Sequence, residues 1–218
     1  MTIFVGSQKT RFDVHQDQLC EVSTFFKAAF TSHYKESLKK SIDLLEDDAD
    51  TVDLFVQWLY KQQLNHLCHP ADDGGEYLMQ PIRLWIFADK YDIQSLKLYT
   101  LEKLLAHIPE EGSAAPSMDV VEYAYRNTCR GSGIRILLAE WLVTYNGRIW
   151  FQSRSTQDWL LSNPEIAVDL VAAFSKIPDE DHVPDHIKNN EPEYYMKVRG
   201  DDSSSDSSGG ESTGISAK

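Results

Sequence analysis

Cysteine is scarce in this sequence, with only Cys20, Cys68 and Cys129 among 218 residues. Because the number is odd and the spacings are wide, the cysteines do not suggest a disulfide framework. Long apolar stretches are also missing: there is no N-terminal apolar segment of the signal-peptide type, and no run near the ~18 residues of a membrane helix. These absences predict a reducing compartment, cytoplasm or nucleus, and no membrane partner. Nothing in the sequence chooses between the two compartments.

Basic residues are also in short supply. The 21 Lys and Arg are outnumbered by 34 Asp and Glu, which gives a formal net charge of −13. A nucleic-acid partner is therefore not expected, because binding to phosphates requires a basic surface. The acidic excess is uneven, since ten acidic and only four basic residues occur from position 179 onward. The remainder of the chain is only mildly acidic.

A strand pattern is present near the N-terminus. "TIFVG" and "TRFDVH" flank "SQK", with Gly6 at the turn, which predicts a β-hairpin. Two short helices are expected next, with Asp17 capping the first and Ser23 or Thr24 capping the second. "SIDLL" then predicts a third strand, whose alternate apolar residues lie on one face.

Helical spacing dominates after the third strand. Three stretches that begin at Val52, Leu84 and Leu101 repeat apolar residues at i, i+3, i+4 and i+7, and wider apolar stripes begin at Ile134 and Ile166. The order of elements predicts an α+β fold. Its three strands make too small a sheet to hold a core alone, so the apolar faces of the helices must close over it and over each other.

Composition divides the chain into four predicted segments. They are an α+β domain (2–108), a linker (109–117), a helical extension (118–178) and an acidic, Ser-rich tail (179–218). The end of the tail has almost no apolar residue. Burial therefore cannot offset its ordering entropy, and the tail is predicted to be disordered.

Several separated blocks carry a resemblance to a known family. "FVGSQKTRFDVHQDQLCEVSTFFKAAF" resembles the opening of the BTB/POZ domain. "YKESLKKSIDLLEDDADTVDLFVQWLYKQQL" and "LWIFADKYDIQSLKLYTLEKLL" are similar to its next two parts, in the same order. The likeness covers roughly residues 2–108, and "VVEYAYRNTCRGSGIRILLAEW" resembles the helical extension of short fungal-type BTB proteins. The resemblance implies a BTB/POZ fold: a small, mainly three-stranded sheet capped by helices, followed by a helical extension.

This resemblance implies a protein-interaction adaptor. BTB domains form homodimers or other oligomers, and many bridge a substrate to a cullin-3 ubiquitin ligase. In the cullin-binding members, a hydrophobic residue, any residue and then glutamate lie in the loop before the third strand. Tyr34 and Glu36 match that pattern, so the resemblance marks them as partner-binding residues, the aromatic ring as an anchor and the carboxylate as an orienting group.

The expected partners are a second copy of the chain, cullin-3 and an unidentified protein target. The chain begins inside the first strand, so we expect a packed helical dimer rather than one that exchanges an N-terminal strand and helix. The alternative function is an oligomerisation or scaffold module without a ligase, for example in transcriptional regulation.

Two other groups of residues suggest chemistry that we do not expect. His66, Cys68 and His69 are zinc-ligand types, but they share one predicted loop and lack a clear fourth ligand. Cys20 and His15 could form a nucleophile and base, but Cys20 sits among apolar residues, where a free cysteine behaves as a small hydrophobe. No catalytic residue, metal or cofactor is therefore predicted, and the chain is not expected to be an enzyme.

Three further features are a glycine-rich stretch, a pair of adjacent carboxylates and a pair of aromatic residues. "RGSG" at 130–133 lacks the preceding strand and the lysine of a phosphate loop, so Ser132 is predicted to cap a helix. Asp47 and Asp48 form an adjacent carboxylate pair that is predicted to be solvated. Trp150 and Phe151 are the best candidates for a partly exposed apolar patch, which would indicate a partner site.

Overall fold

The structure, a computed structural model, describes residues 1–31, 39–64, 67, 76–108, 115–145, 148–176 and 183–197. These residues form three strands, twelve α-helices and one 3-10 turn. The strands are β1 (Thr2–Val5), β2 (Thr10–Asp13) and β3 (Ser41–Leu44). The helices are α1 (Gln16–Val22), α2 (Thr24–Thr31), α3 (Ala49–Lys61), α4 (Met79–Lys90), α5 (Gln94–His107), α6 (Met118–Asn127), α7 (Gly133–Tyr145), α8 (Arg148–Gln152), α9 (Arg154–Ser162), α10 (Pro164–Phe174), α11 (Asp185–Lys188) and α12 (Pro192–Lys197).

The sheet has the order β2-β1-β3, so that the first strand lies in the middle. β1 pairs antiparallel with β2, which confirms the predicted hairpin, and parallel with β3. The parallel pairing is possible because α1 and α2 return the chain to the end of the sheet at which β1 begins. Ile3 and Val5 on the central strand are completely buried. The hairpin turn uses Gly6 at a φ of +66°, a conformation that favours glycine.

The first core lies between this sheet and the helices that follow it. It joins Ile3, Leu19, Phe26, Phe55 and Phe87, among other side chains of β1 to β3 and α1 to α5. The expectation that helices close over a small sheet is therefore confirmed, and the fold is of the α+β class. α3 starts where the side chain of Asp48 accepts hydrogen bonds from the backbone N–H groups of Asp50 and Thr51.

The helical extension shares its core with the end of the α+β domain. Trp85 of α4 and Leu104 of α5 are buried in one cluster with Ala124 of α6 and Trp141 of α7. A third cluster joins α6 and α7 to α10 through residues such as Leu170. The extension is thus packed directly on α4 and α5.

Part of the segment assigned to a disordered tail is ordered. Two short helices, α11 and α12, lie within 183–197, and they insert Ile187 and Tyr195 into the second core, where both side chains are buried. The prediction of disorder from residue 179 onward is therefore wrong for this part. That prediction rested on the acidic, apolar-poor composition of the whole segment. A few spaced apolar side chains are nevertheless enough to pack residues 183–197 against the second core. Residues 198–218 lie outside the described residues.

Two predicted helix caps are also wrong. His15, not Asp17, occupies the residue before α1, and Asp17 lies in the first turn of that helix. The Ser132 hydroxyl is buried without a hydrogen-bond partner, while its carbonyl accepts from the backbone of Arg135. The backbone of Tyr195 lies against the start of α7 at Gly133. None of the described helices is long and apolar enough to cross a membrane.

Candidate interaction surface

The predicted partner-binding residues Tyr34 and Glu36 lie outside the described residues. The elements on either side of them are described: α2 ends at Thr31 and β3 begins at Ser41. Beside these two elements lies an open groove of about 640 Å³, which we call the α2–β3 groove. Its lining comprises Phe25, Ala28 and Ala29 of α2, residues 42–47, and Lys90 and Tyr91 at the end of α4.

The position of α2 is set by one buried hydroxyl. Ser23 precedes the helix, and its Oγ accepts a hydrogen bond of 3.1 Å from the backbone N–H of Phe26. The same Oγ donates a hydrogen bond of 2.6 Å to the backbone carbonyl of Tyr91. The predicted cap at Ser23 is therefore confirmed. Besides capping the start of α2, its hydroxyl links that helix to the end of α4.

Adjacent aromatic residues of α2 point in different directions. Phe26 is fully buried and stacks with Phe30 and Phe55. Phe25 is 40% exposed and meets the ring of Tyr91 edge-on, with 5.0 Å between ring centroids. Since successive helix residues lie about 100° apart, burial of Phe26 turns Phe25 toward the groove.

The far side of the groove is both apolar and charged. Leu45, directly after β3, is 53% exposed. Asp47 accepts a hydrogen bond of 2.5 Å from the hydroxyl of Tyr91 and forms a salt bridge of 3.0 Å with Lys90. Burial, together with the nearby Asp47 carboxylate, raises the pKa of Tyr91 above its ordinary value, so the hydroxyl remains a donor. The groove therefore combines exposed apolar side chains with a carboxylate held by two partners.

The prediction of a solvated carboxylate is wrong for Asp47, whose side chain is only 10% exposed, whereas Asp48 is exposed as predicted and also has partners. Asp47 is fixed by Tyr91 and Lys90 at the groove, and Asp48 caps α3. The hydrogen bonds from Thr51 and Asp50 outweigh desolvation and lower the pKa of Asp48. These two carboxylates therefore hold the chain after β3 in place.

The structure pairs His15 with Tyr60 rather than with Cys20. The Nδ1 atom of His15 lies 2.8 Å from the Tyr60 hydroxyl. Partial burial raises the pKa of the Cys20 thiol, which disfavours the thiolate that a nucleophile requires. The possible zinc ligands His66, Cys68 and His69 lie outside the described residues. Within the described ranges, no group of three or more His, Cys, Asp or Glu is arranged to hold a metal ion.

A buried carboxylate of the extension was missed by sequence reasoning. Glu140 of α7 is 1% exposed, and it accepts hydrogen bonds from Tyr195 (2.8 Å) and Lys176 (3.2 Å) and contacts Nε2 of His186 at 2.8 Å. The signal was a glutamate inside the apolar run "ILLAEWL". A carboxylate at such a position needs partners, because an unpaired buried charge is strongly unfavourable.

Trp150 and Phe151 contribute only part of the exposed apolar patch that the sequence predicted at these residues. Both side chains are half-buried, Trp150 against Trp159 and Phe151 against Phe174. The more exposed apolar side chains lie next to them, on α9 and α10. The sequence thus identified the region but not the residues that face solvent.

Comparison with known proteins agrees with the architecture of the first domain. A family model described as BTB/POZ domain matches residues 1–107. No curated protein matches the chain. The matched range ends within α5, at the last residue of that helix.

Proposed function

Because residues 1–107 belong to the BTB/POZ domain family, we propose that this chain is an adaptor that self-associates through that domain and recruits a protein target to a cullin-3 ubiquitin ligase. The BTB/POZ domain is a protein-interaction and oligomerisation module. The adaptor would act by proximity: it would hold the target near the ubiquitin-transfer machinery, and its partners would carry out the bond-making step.

The observation that supports cullin-3 binding is the position of the α2–β3 groove. Its walls are the two elements that flank the segment containing Tyr34 and Glu36. Phe25 and Leu45 place exposed apolar surface on these walls. A helix of a partner that contacts Tyr34 would therefore find additional apolar contacts in the groove, as an interface anchor requires.

Binding of purified cullin-3 to the full chain tests this proposal. We expect the wild-type chain to bind, and Tyr34→Ala/Glu36→Ala to weaken binding by at least about tenfold, since loss of an interface anchor costs ~2 kcal/mol or more. Leu45→Ala should weaken binding to a smaller extent. Tyr145→Ala is the control, because it truncates an exposed side chain at the end of α7, far along the sequence in the extension, and should leave affinity unchanged.

Three outcomes separate the adaptor from a module that only oligomerises. Equal binding by wild type and the Tyr34→Ala/Glu36→Ala variant would exclude docking through these residues. No binding by the wild-type chain would exclude the ligase role and leave self-association as the function. Solution mass of the full chain measures that self-association independently, and a monomer at all concentrations would contradict it.

A further inference from the structure

The outer face of α10 is apolar although it is exposed. Ile166, Leu170 and Ala173 face the core, while Val168 and Val171 on the opposite side are 53% and 69% exposed. Phe174, in the last turn, is also exposed, and Leu161, the last residue but one of α9, is 81% exposed. A helix that is apolar on all sides is normally buried on all sides. We call Leu161, Val168, Val171 and Phe174 the α10 outer face.

The charged residues of this region have partners within the chain. Glu165 forms a salt bridge of 2.7 Å with Arg135 of α7. Asp169 accepts a hydrogen bond of 2.8 Å from the hydroxyl of Tyr125 of α6. Lys176 forms a salt bridge of 3.2 Å with Glu140. These are the only charged residues between positions 161 and 176, so the charges that border the α10 outer face already have partners within the chain, although the Glu165 side chain stays 68% exposed.

The surrounding extension is electrically neutral in a strongly acidic chain. Residues 118–176 contain six acidic and six basic residues, while the whole chain has a net charge of −13. Two copies of the chain repel each other where their acidic surfaces meet, over the ~8 Å of the physiological Debye length. The extension is therefore the part of the surface where two copies approach with the smallest electrostatic cost.

Residues 198–218 offer little apolar surface to cover the α10 outer face. Residues 198–218 form the longest segment outside the described residues, and their only aliphatic side chains are Val198, Ile215 and Ala217. The others in that segment are charged, polar or glycine. Such a segment has no apolar row to match the spacing of Val168 and Val171. The complementary surface is therefore not expected from residues 198–218.

We infer that the α10 outer face binds the same face of a second copy in a two-fold symmetric contact. In such a contact each side presents the same residues, so an uncharged apolar face is complementary to itself without any pairing of charges. The half-buried Phe151, whose ring packs on Phe174 with 5.0 Å between centroids, extends the surface toward α8. This contact is separate from self-association through the BTB/POZ domain and does not depend on cullin-3 binding.

The mass of the full chain in solution, measured across the micromolar range, tests this contact. Val171→Glu places a carboxylate at the centre of the face, and we expect it to weaken self-association by at least about tenfold, because an unpaired charge would become buried. If the BTB/POZ domain also dimerises, the assembly falls to that dimer; if it does not, it falls to the monomer. Asn127→Glu adds the same charge at an exposed position of α6, outside the α10 outer face, and should leave the mass unchanged.

Crosslinking identifies the occupant directly. In a Cys129→Ser background, Val171→Cys should form a covalent dimer with a short bismaleimide, whereas Asn127→Cys should not exceed the background chain. Glutamate has the higher helix propensity, so Val171→Glu is expected to fold, which circular dichroism checks. If it does not fold, the crosslink alone decides.

The inference is overturned if wild type and Val171→Glu have the same mass at every concentration, or if Val171→Cys gives no covalent dimer above background. A protein other than this chain bound at the face, without any change in self-association, would also overturn it. Loss of cullin-3 binding in the Tyr34 variants would leave this contact unaffected, so the two proposals fail separately.

Discussion

The hydroxyl of Tyr195 donates a hydrogen bond of 2.8 Å to the carboxylate of Glu140 across 55 positions of sequence. The same carboxylate lies 2.8 Å from His186 and 3.2 Å from Lys176. One buried carboxylate of α7 therefore contacts side chains of α11, of α12 and of the residues just after α10. This cluster fastens the segment 183–197 to the extension.

Removal of this carboxylate should destabilise the protein strongly. Glu140→Ala leaves buried polar groups without their acceptor, and we expect the free energy of unfolding to fall by about 3–5 kcal/mol. Tyr195→Phe removes one hydrogen bond and should cost about 1–2 kcal/mol. Urea denaturation measures both values. Tyr194→Phe is the control, because its half-buried hydroxyl makes only a 3.4 Å contact with Lys176. A loss for Glu140→Ala as small as that of this control would contradict the role of the cluster.

Stability should fall in alkaline solution because of buried tyrosines. Burial first, and then the Glu140 carboxylate, raise the pKa of Tyr195, and burial with Asp169 does the same for Tyr125. The unfolded state loses these protons near pH ~10, before the folded state does. The stabilisation is therefore complete below pH ~10 and declines above it, by about 1.4 kcal/mol per pH unit for each tyrosine. For Tyr195→Phe, the free energy of unfolding from urea denaturation should decline less steeply between pH ~10 and ~11 than for wild type. Parallel pH dependences of the two proteins would refute this assignment.

A methyl group at Gly133 should displace the C-terminal helices. A Cβ atom there would lie 1.9 Å from the backbone oxygen of Tyr195, which cannot move away without shifting α12. We expect Gly133→Ala to release the segment 183–197, so that limited proteolysis cleaves it while the α+β domain remains folded. The effect is steric, because α7 would otherwise gain from the better helix propensity of alanine.

Gly131 provides the matched control for that experiment. It has a φ of +76°, but no heavy atom lies within 4 Å of its would-be Cβ. Gly131→Ala should cost about 1–2 kcal/mol of backbone strain and leave the C-terminal segment docked. If both variants were cleaved at the same rate, backbone strain rather than the contact with Tyr195 would explain the result.

Local patterns predicted the strands and most helices correctly, because their signals lie within a few residues. The hairpin around Gly6 and the cap at Ser23 are examples. Long-range pairing left no such signal: the partners of Glu140 are 36 to 55 positions away. The same limit applies to the α2–β3 groove. The sequence contains Phe25 and Phe26 side by side, and only packing decides which ring faces solvent.

The geometry of the α2–β3 groove should depend on Ser23. Its buried hydroxyl satisfies both the N–H of Phe26 and the carbonyl of Tyr91. Ser23→Ala leaves both groups without a partner, so we expect urea denaturation to show a loss of about 2–3 kcal/mol. Thr31→Ala also removes a hydroxyl from α2, but that hydroxyl is exposed and donates only to the Lys27 carbonyl. It should change stability by no more than about 0.5 kcal/mol. Equal losses for the two variants would mean that Ser23 does not tie α2 to α4, and the position of Phe25 would then need another explanation.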